Sequence, residues 1–113
     1  MTQTRTTGGI DDALIDEIVR RVLSVAKPDK IILFGSAATG TMTPDSDIDL
    51  LIVEPEPIER SDEYVRIRHA LGHMGYPFDI LFIATPWFEE SKDVIGGIAY
   101  PADKYGKVIY DAA

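Results

Sequence analysis

The chain has 113 residues, of which 45% are apolar, and this is enough for one small domain with its own hydrophobic core. Nineteen acidic residues against eleven basic ones give a net charge of −8, which argues against a broad nucleic-acid-binding surface and fits a metal-bound small substrate or a basic partner protein. The absence of cysteine excludes disulfides and thiolate zinc sites, and no apolar run approaches the ~20 residues of a membrane span.

The first half of the chain predicts a tail, a helix and two strands. Residues 1–9 are polar and Thr-rich and lack the apolar segment of a signal peptide, so we expect a disordered tail on a cytoplasmic protein. Apolar residues at helical spacing then predict an amphipathic helix that begins near Asp12 and ends before Pro28. The apolar runs 30–34 and 47–53 predict two strands.

The second half predicts a helix over roughly 58–74 and a strand at about 77–83. Because this strand is almost wholly apolar, we expect it in the centre of the sheet. Thr85 then predicts the N-cap of a helix that is interrupted near Gly96, and 107–111 predicts a short final strand.

This order of elements contains no internal repeat and no linker, and it predicts a single domain over 10–113. The fold class is α/β (α+β), with a small mixed β-sheet of about four strands flanked by helices. Of the neighbouring aromatic residues Trp87 and Phe88, we expect at least one to pack in the core, and an exposed one would be a candidate for contact with a partner.

Chemistry-bearing residues follow the first strand and open the second. A turn at Gly35 and Ser36 exposes backbone N–H groups and a hydroxyl, which together can cradle phosphate oxygens. Asp47 and Asp49 are separated by one residue, so in a strand their side chains point the same way with Cα atoms ~6.5–7 Å apart. Such carboxylates repel unless protons or cations neutralise them, and Mg²⁺ prefers oxygen ligands. The pattern indicates nucleotide chemistry.

Asp79 is the third candidate, because a charged residue inside an apolar strand costs several kcal/mol to bury unless it is paired or bound to metal. If its strand lies beside that of Asp49, three carboxylates could hold two Mg²⁺ ions ~3.5–4 Å apart. The alternative is structural: Asp47 caps a turn, Asp49 faces solvent, and Asp79 sits at a strand edge.

The arrangement Gly-Ser, about ten residues, Asp-x-Asp and a later Asp resembles the nucleotidyltransferase superfamily related to DNA polymerase β, and in particular its minimal nucleotidyltransferase (MNT) branch. The resemblance covers residues 10–111. It implies the nucleotidyltransferase fold and Mg²⁺-dependent transfer of AMP from ATP to an acceptor hydroxyl. It also implies triphosphate-binding residues and catalytic metal ligands, which are respectively Gly35 and Ser36, and Asp47, Asp49 and Asp79.

The chain departs from this family pattern at Ala37 and Thr39, where many relatives carry Arg. Charge-assisted contacts to phosphate are the stronger ones, so their loss weakens the expected hold on the triphosphate.

Small MNT proteins commonly pair with HEPN toxins, which are helical RNases, and act as antitoxins that add AMP to a toxin tyrosine. The resemblance therefore implies ATP and a HEPN-type toxin as partners in a possible hetero-oligomer, without direct contact to nucleic acid or membrane. Two alternatives remain open. One is a non-catalytic antitoxin that covers its partner, and the other is transfer to a small molecule such as an aminoglycoside.

Overall fold

The computed structural model of the chain describes residues 12–35, 38, 46–55, 60–72 and 74–112. The predictions for the tail at 1–9, for Ser36, and for Ala37 and Thr39 fall outside these residues. Within the described ranges, no helix is long and apolar enough to cross a membrane.

The described chain contains four helices and four strands. The helices are α1 (Asp12–Leu23), α2 (Arg60–Leu71), α3 (Thr85–Ser91) and α4 (Ala99–Tyr105). The strands are β1 (Lys30–Phe34), β2 (Ile48–Glu54), β3 (Phe78–Ala84) and β4 (Lys107–Asp111).

The strands form one mixed sheet in the order β3-β2-β1-β4. β1 pairs antiparallel with both β2 and β4, whereas β2 and β3 are parallel. This confirms the predicted class, a small mixed α/β sheet with flanking helices.

The central position predicted for β3 is wrong, because the strand lies at an edge of the sheet. Its apolar run suggested burial on both faces. In the structure Phe78, Ile80 and Ile83 are buried, but Leu81 is 37% exposed. An apolar composition on both faces therefore does not require a neighbouring strand on both sides.

Helices cover both faces of the sheet and enclose two apolar clusters. In β2, side chains alternate between these clusters, as the two-residue period of a strand requires. One cluster packs α1 and α2 against Ile48, Leu50 and Ile52. The other packs Phe88 of α3 and two alanines of α4 against Leu51 and Val53. Asp49 lies between Ile48 and Leu50 in β2, so its side chain points to the face covered by α3 and α4.

The segment after β3 differs from the prediction at its first residue. The N-cap of α3 is Ala84, and Thr85 is instead the first helical residue, with Pro86 in the first turn. The Thr85 hydroxyl donates a hydrogen bond of 2.5 Å to Asp29 Oδ2, so it joins α3 to the segment before β1. The predicted interruption is confirmed, because Gly96 adopts φ +138° between α3 and α4.

Candidate active site

Gly35 lies directly after β1, at the end of the sheet where β2 begins. Its φ of +72° is in the left-handed region, which a residue with a Cβ rarely adopts. A Cβ at this position would overlap Asp49 Oδ2 and would lie 3.2 Å from Asp49 Cγ. The Ala38 N–H donates a hydrogen bond of 3.1 Å to the Gly35 carbonyl. Glycine is therefore required here both by the backbone and by the neighbouring carboxylate.

The parallel pairing of β2 and β3 places Asp49 directly opposite Asp79. Neighbouring strands lie about 4.8 Å apart, so these two carboxylates leave adjacent backbones on the same face of the sheet. The Ile48 N–H donates to the Pro77 carbonyl across 2.8 Å and fixes this register where both strands begin. Asp47 immediately precedes β2 and is exposed.

The three carboxylates influence one another electrostatically. Burial raises the pKa of the Asp49 carboxyl above its ordinary value, and the negative charges of Asp79 and Asp47 raise it further. These three influences all act in the same direction. The half-buried Asp49 therefore carries negative charge that the described side chains around it do not compensate.

Oxygen-only donors with uncompensated negative charge suit a hard divalent cation such as Mg²⁺ by their chemistry. The side chains are not gathered into a ligand set, however. Among the described residues, no group of three or more Asp, Glu, His or Cys side chains converges closely enough to hold a metal ion. The backbone positions of Asp47, Asp49 and Asp79 thus bring the carboxylates to one region, while their rotamers do not close around a common point.

Arg68 fixes the start of β3 from the opposite helix layer. Its Nη1 donates a hydrogen bond of 2.7 Å to the carbonyl of Phe78, the residue before Asp79. Its guanidinium also lies 5.6 Å from the ring centroid of Tyr64, one turn earlier in α2. The sequence offered no signal for this role, because an exposed Arg on a helix is ordinarily a solvated charge.

The sequence also did not reveal a second acidic site at the far end of β2. Glu54 is only 4% exposed and lines a cavity of about 500 Å³ with Glu63 and Arg66. Burial, and then the hydrogen bond and charge of Glu63, raise the pKa of Glu54 to about 8. Strand alternation could have found it, since Glu54 shares a face with the buried Leu50 and Ile52.

Comparison with known proteins gives the same family as the motif at this end of the sheet. A family model described as a nucleotidyltransferase domain matches residues 15–99. Among solved structures, a chain from a "crystal structure of the toxin-antitoxin with AMP-PNP" has a similar fold, with a TM-score of 0.65 at 15% sequence identity. The match covers 86% of this chain and 73% of that one. A search of curated proteins gives no significant match. The chain therefore belongs to the nucleotidyltransferase domain family, as the motif of Gly35, Asp47 and Asp49 indicates.

Proposed function

We propose that the protein transfers AMP from ATP to a hydroxyl of a partner protein, and that the partner is a HEPN-type toxin modified on a tyrosine. The observation that carries this proposal is the alignment of Asp49 with Asp79 across β2 and β3, with Gly35 against the Asp49 carboxylate. Family membership supports nucleotidyl transfer, and the fold shared with a toxin–antitoxin solved with AMP-PNP supports the nucleotide and the kind of partner.

In this proposal each residue has a separate role. Asp47 and Asp49 would hold both cations, and Asp79 would hold the one on the acceptor's side. Gly35 and Ser36 bind the β- and γ-phosphates through the turn after β1. Two Mg²⁺ ions, when bound, would offset the carboxylate charge, polarise the α-phosphate and lower the pKa of the acceptor hydroxyl.

The transfer itself balances as a displacement at phosphorus. The acceptor oxygen forms a bond to the α-phosphorus of ATP, and the bond from that phosphorus to the α–β bridging oxygen breaks. Pyrophosphate leaves with the electron pair, and the Asp79 carboxylate accepts the proton of the acceptor hydroxyl. Because Asp79 is exposed, the proton can pass on to solvent.

A second candidate function is steric neutralisation, in which the chain covers its partner without modifying it. Two features favour it: Ala37 and Thr39 stand where the family resemblance implies Arg, and the three carboxylates do not converge on a common point. In that case nucleotide chemistry would be lost while the surface that contacts the partner was kept.

Intact-mass spectrometry of the partner tests the proposal. The protein is incubated with ATP, Mg²⁺ and the HEPN-type partner, and we expect the partner to gain the mass of one or more AMP groups. The Asp47→Asn/Asp49→Asn double variant should leave the partner unmodified. A stable complex with an unmodified partner, neutralised equally by the wild type and the double variant, would establish steric neutralisation instead.

A further inference from the structure

Exposed apolar side chains gather on α3 and on the segment that joins it to α4. Trp87 and Val94 are each 61% exposed and Ile95 is 79% exposed. Together with the buried Ile83 they line a groove of about 400 Å³, which we call the α3–α4 groove. Apolar side chains that gather in one exposed patch make it a candidate interaction site.

The α3–α4 groove is held in shape by the chain beneath it. Phe88 is 1% exposed and anchors α3 in the core, and its carbonyl accepts a hydrogen bond of 2.9 Å from the Lys92 N–H. The Val94 N–H donates to the Ser91 carbonyl across 3.0 Å. Because these hydrogen bonds order the backbone that carries Val94, little conformational entropy is lost at this surface when a partner covers it.

The groove lies on the same face of the sheet as the candidate active site. Asp79, Leu81 and Ile83 alternate along β3 and therefore point to one side, toward the face that α3 and α4 cover. Asp79 and Ile83 are four residues apart, which is ~13 Å along a strand. Leu81, between them, is 37% exposed. A protein seated in the groove can therefore extend over Leu81 and present a side chain at the carboxylates.

The charges around the groove indicate the chemistry of its occupant. The segment 85–105 carries four carboxylates and two ammonium groups. Lys92 pairs with Glu89 at 2.7 Å and Lys104 with Asp93 at 2.8 Å, whereas Glu90 lines the groove and makes no ion pair with the described residues. A second copy of this acidic chain would set carboxylates against carboxylates. A partner with Lys or Arg around an apolar surface is complementary.

We propose that the α3–α4 groove is the docking surface for the acceptor protein, which contacts it with an apolar surface bordered by basic side chains. This inference rests on the proposed function, since it identifies where the modified partner binds. Trp87, Val94 and Ile95 supply the apolar contact, and Glu90 meets a basic group of the partner.

Two matched valines test the docking surface. Val94→Asp places a charge in the groove, and Val65→Asp makes the same change at a 56% exposed position of α2, on the other face of the sheet. Binding of the HEPN-type acceptor to the full chain is measured by calorimetry without nucleotide. We expect Val94→Asp to weaken binding at least about tenfold and Val65→Asp to change it less than about twofold. Equal losses, or a loss in Val65→Asp alone, would overturn the proposal.

A charge reversal provides a second readout. Glu90→Lys should weaken binding to the acceptor by a factor that shrinks as salt is added, because screening removes the repulsion it introduces. Binding by Glu90→Lys that equals the wild type at low salt would contradict the basic border of the partner.

Failure of docking and failure of the proposed reaction are distinguishable. A wild type that binds the acceptor through the groove but adds no AMP contradicts the reaction and leaves the docking surface supported. If the wild type and Val94→Asp add AMP to the acceptor at the same rate, the docking surface is overturned and the reaction is supported. An acceptor that does not bind the wild type overturns the docking surface directly.

Discussion

The Asp49 carboxylate occupies the space that a side chain at Gly35 would need. Gly35 directly follows β1 and Asp49 lies in β2, and they meet because Phe34, the residue before Gly35, pairs with Asp49. One acidic group and one turn are thereby held in a fixed relation at the start of β2. In the proposed reaction this relation sets the phosphate-binding backbone beside the cation-binding carboxylate.

Gly35→Ala tests this relation. The substitution introduces left-handed strain of about 1–2 kcal/mol and also displaces the Asp49 carboxylate. Gly75→Ala is the control, because Gly75 has a similar φ of +84° but no atom within 4 Å of an added Cβ. We expect both variants to melt at lower temperature than the wild type, and only Gly35→Ala to lose AMP transfer. Equal transfer by the two variants would contradict a functional contact between Gly35 and Asp49.

Asp49→Asn tests the repulsion among the carboxylates. Removing one of three mutually repelling charges should raise the stability of the cation-free protein. The same change should abolish the rise in melting temperature that Mg²⁺ and ATP cause by binding to the native state. Asp16→Asn, an exposed change in α1, should alter neither quantity. A wild-type melting temperature that neither Mg²⁺ nor ATP changes would count against the site.

Glu54 predicts how stability depends on pH. Its pKa is about 8 in the folded chain against an ordinary value of 4.5, so the native state binds this proton more tightly than the unfolded chain. The stabilisation is fully present below about pH 4.5 and is lost as the pH rises toward about 8. Glu54→Gln keeps a donor for Glu63 and should remove this dependence. Urea unfolding between about pH 5 and about pH 9 measures it.

The control for this prediction is activity. Glu54 lies five residues from Asp49 along β2, which is ~17 Å in a strand, so Glu54→Gln should leave AMP transfer unchanged. Equal slopes of stability against pH in the wild type and the variant would show that Glu54 does not hold its proton in this way.

The sequence predicted the elements that local patterns determine. The apolar run 47–53 located β2, with Asp49 inside it and Asp47 just before it, and the period of α1 located its buried face. The position of β3 could not be predicted, because an edge strand has the same apolar composition as a central strand when helices pack against its faces. The pairing of Asp49 with Asp79 depends on that tertiary register.

Long-range contacts account for the remaining differences. The hydrogen bond from Thr85 to Asp29 joins residues 56 positions apart, so a pattern that predicted a local N-cap could not reveal it. Arg68 similarly stabilises the start of β3 through the Phe78 carbonyl. Contacts of this kind require the folded arrangement of layers, and that of Arg68 lies next to Asp79 in the candidate site.

Binding of Mn²⁺ in place of Mg²⁺, followed by electron paramagnetic resonance with AMP-PNP present, tests the central claim most directly. The claim is that Asp47, Asp49 and Asp79 together hold the divalent cations of the transfer reaction. We predict that the wild type binds about two Mn²⁺ ions per chain in the presence of the nucleotide. Asp49→Asn and Asp79→Asn should each lose this binding, while Asp16→Asn keeps it. A wild type that binds no Mn²⁺ with the nucleotide, or an Asp49→Asn variant that binds as many ions as the wild type, would contradict the account.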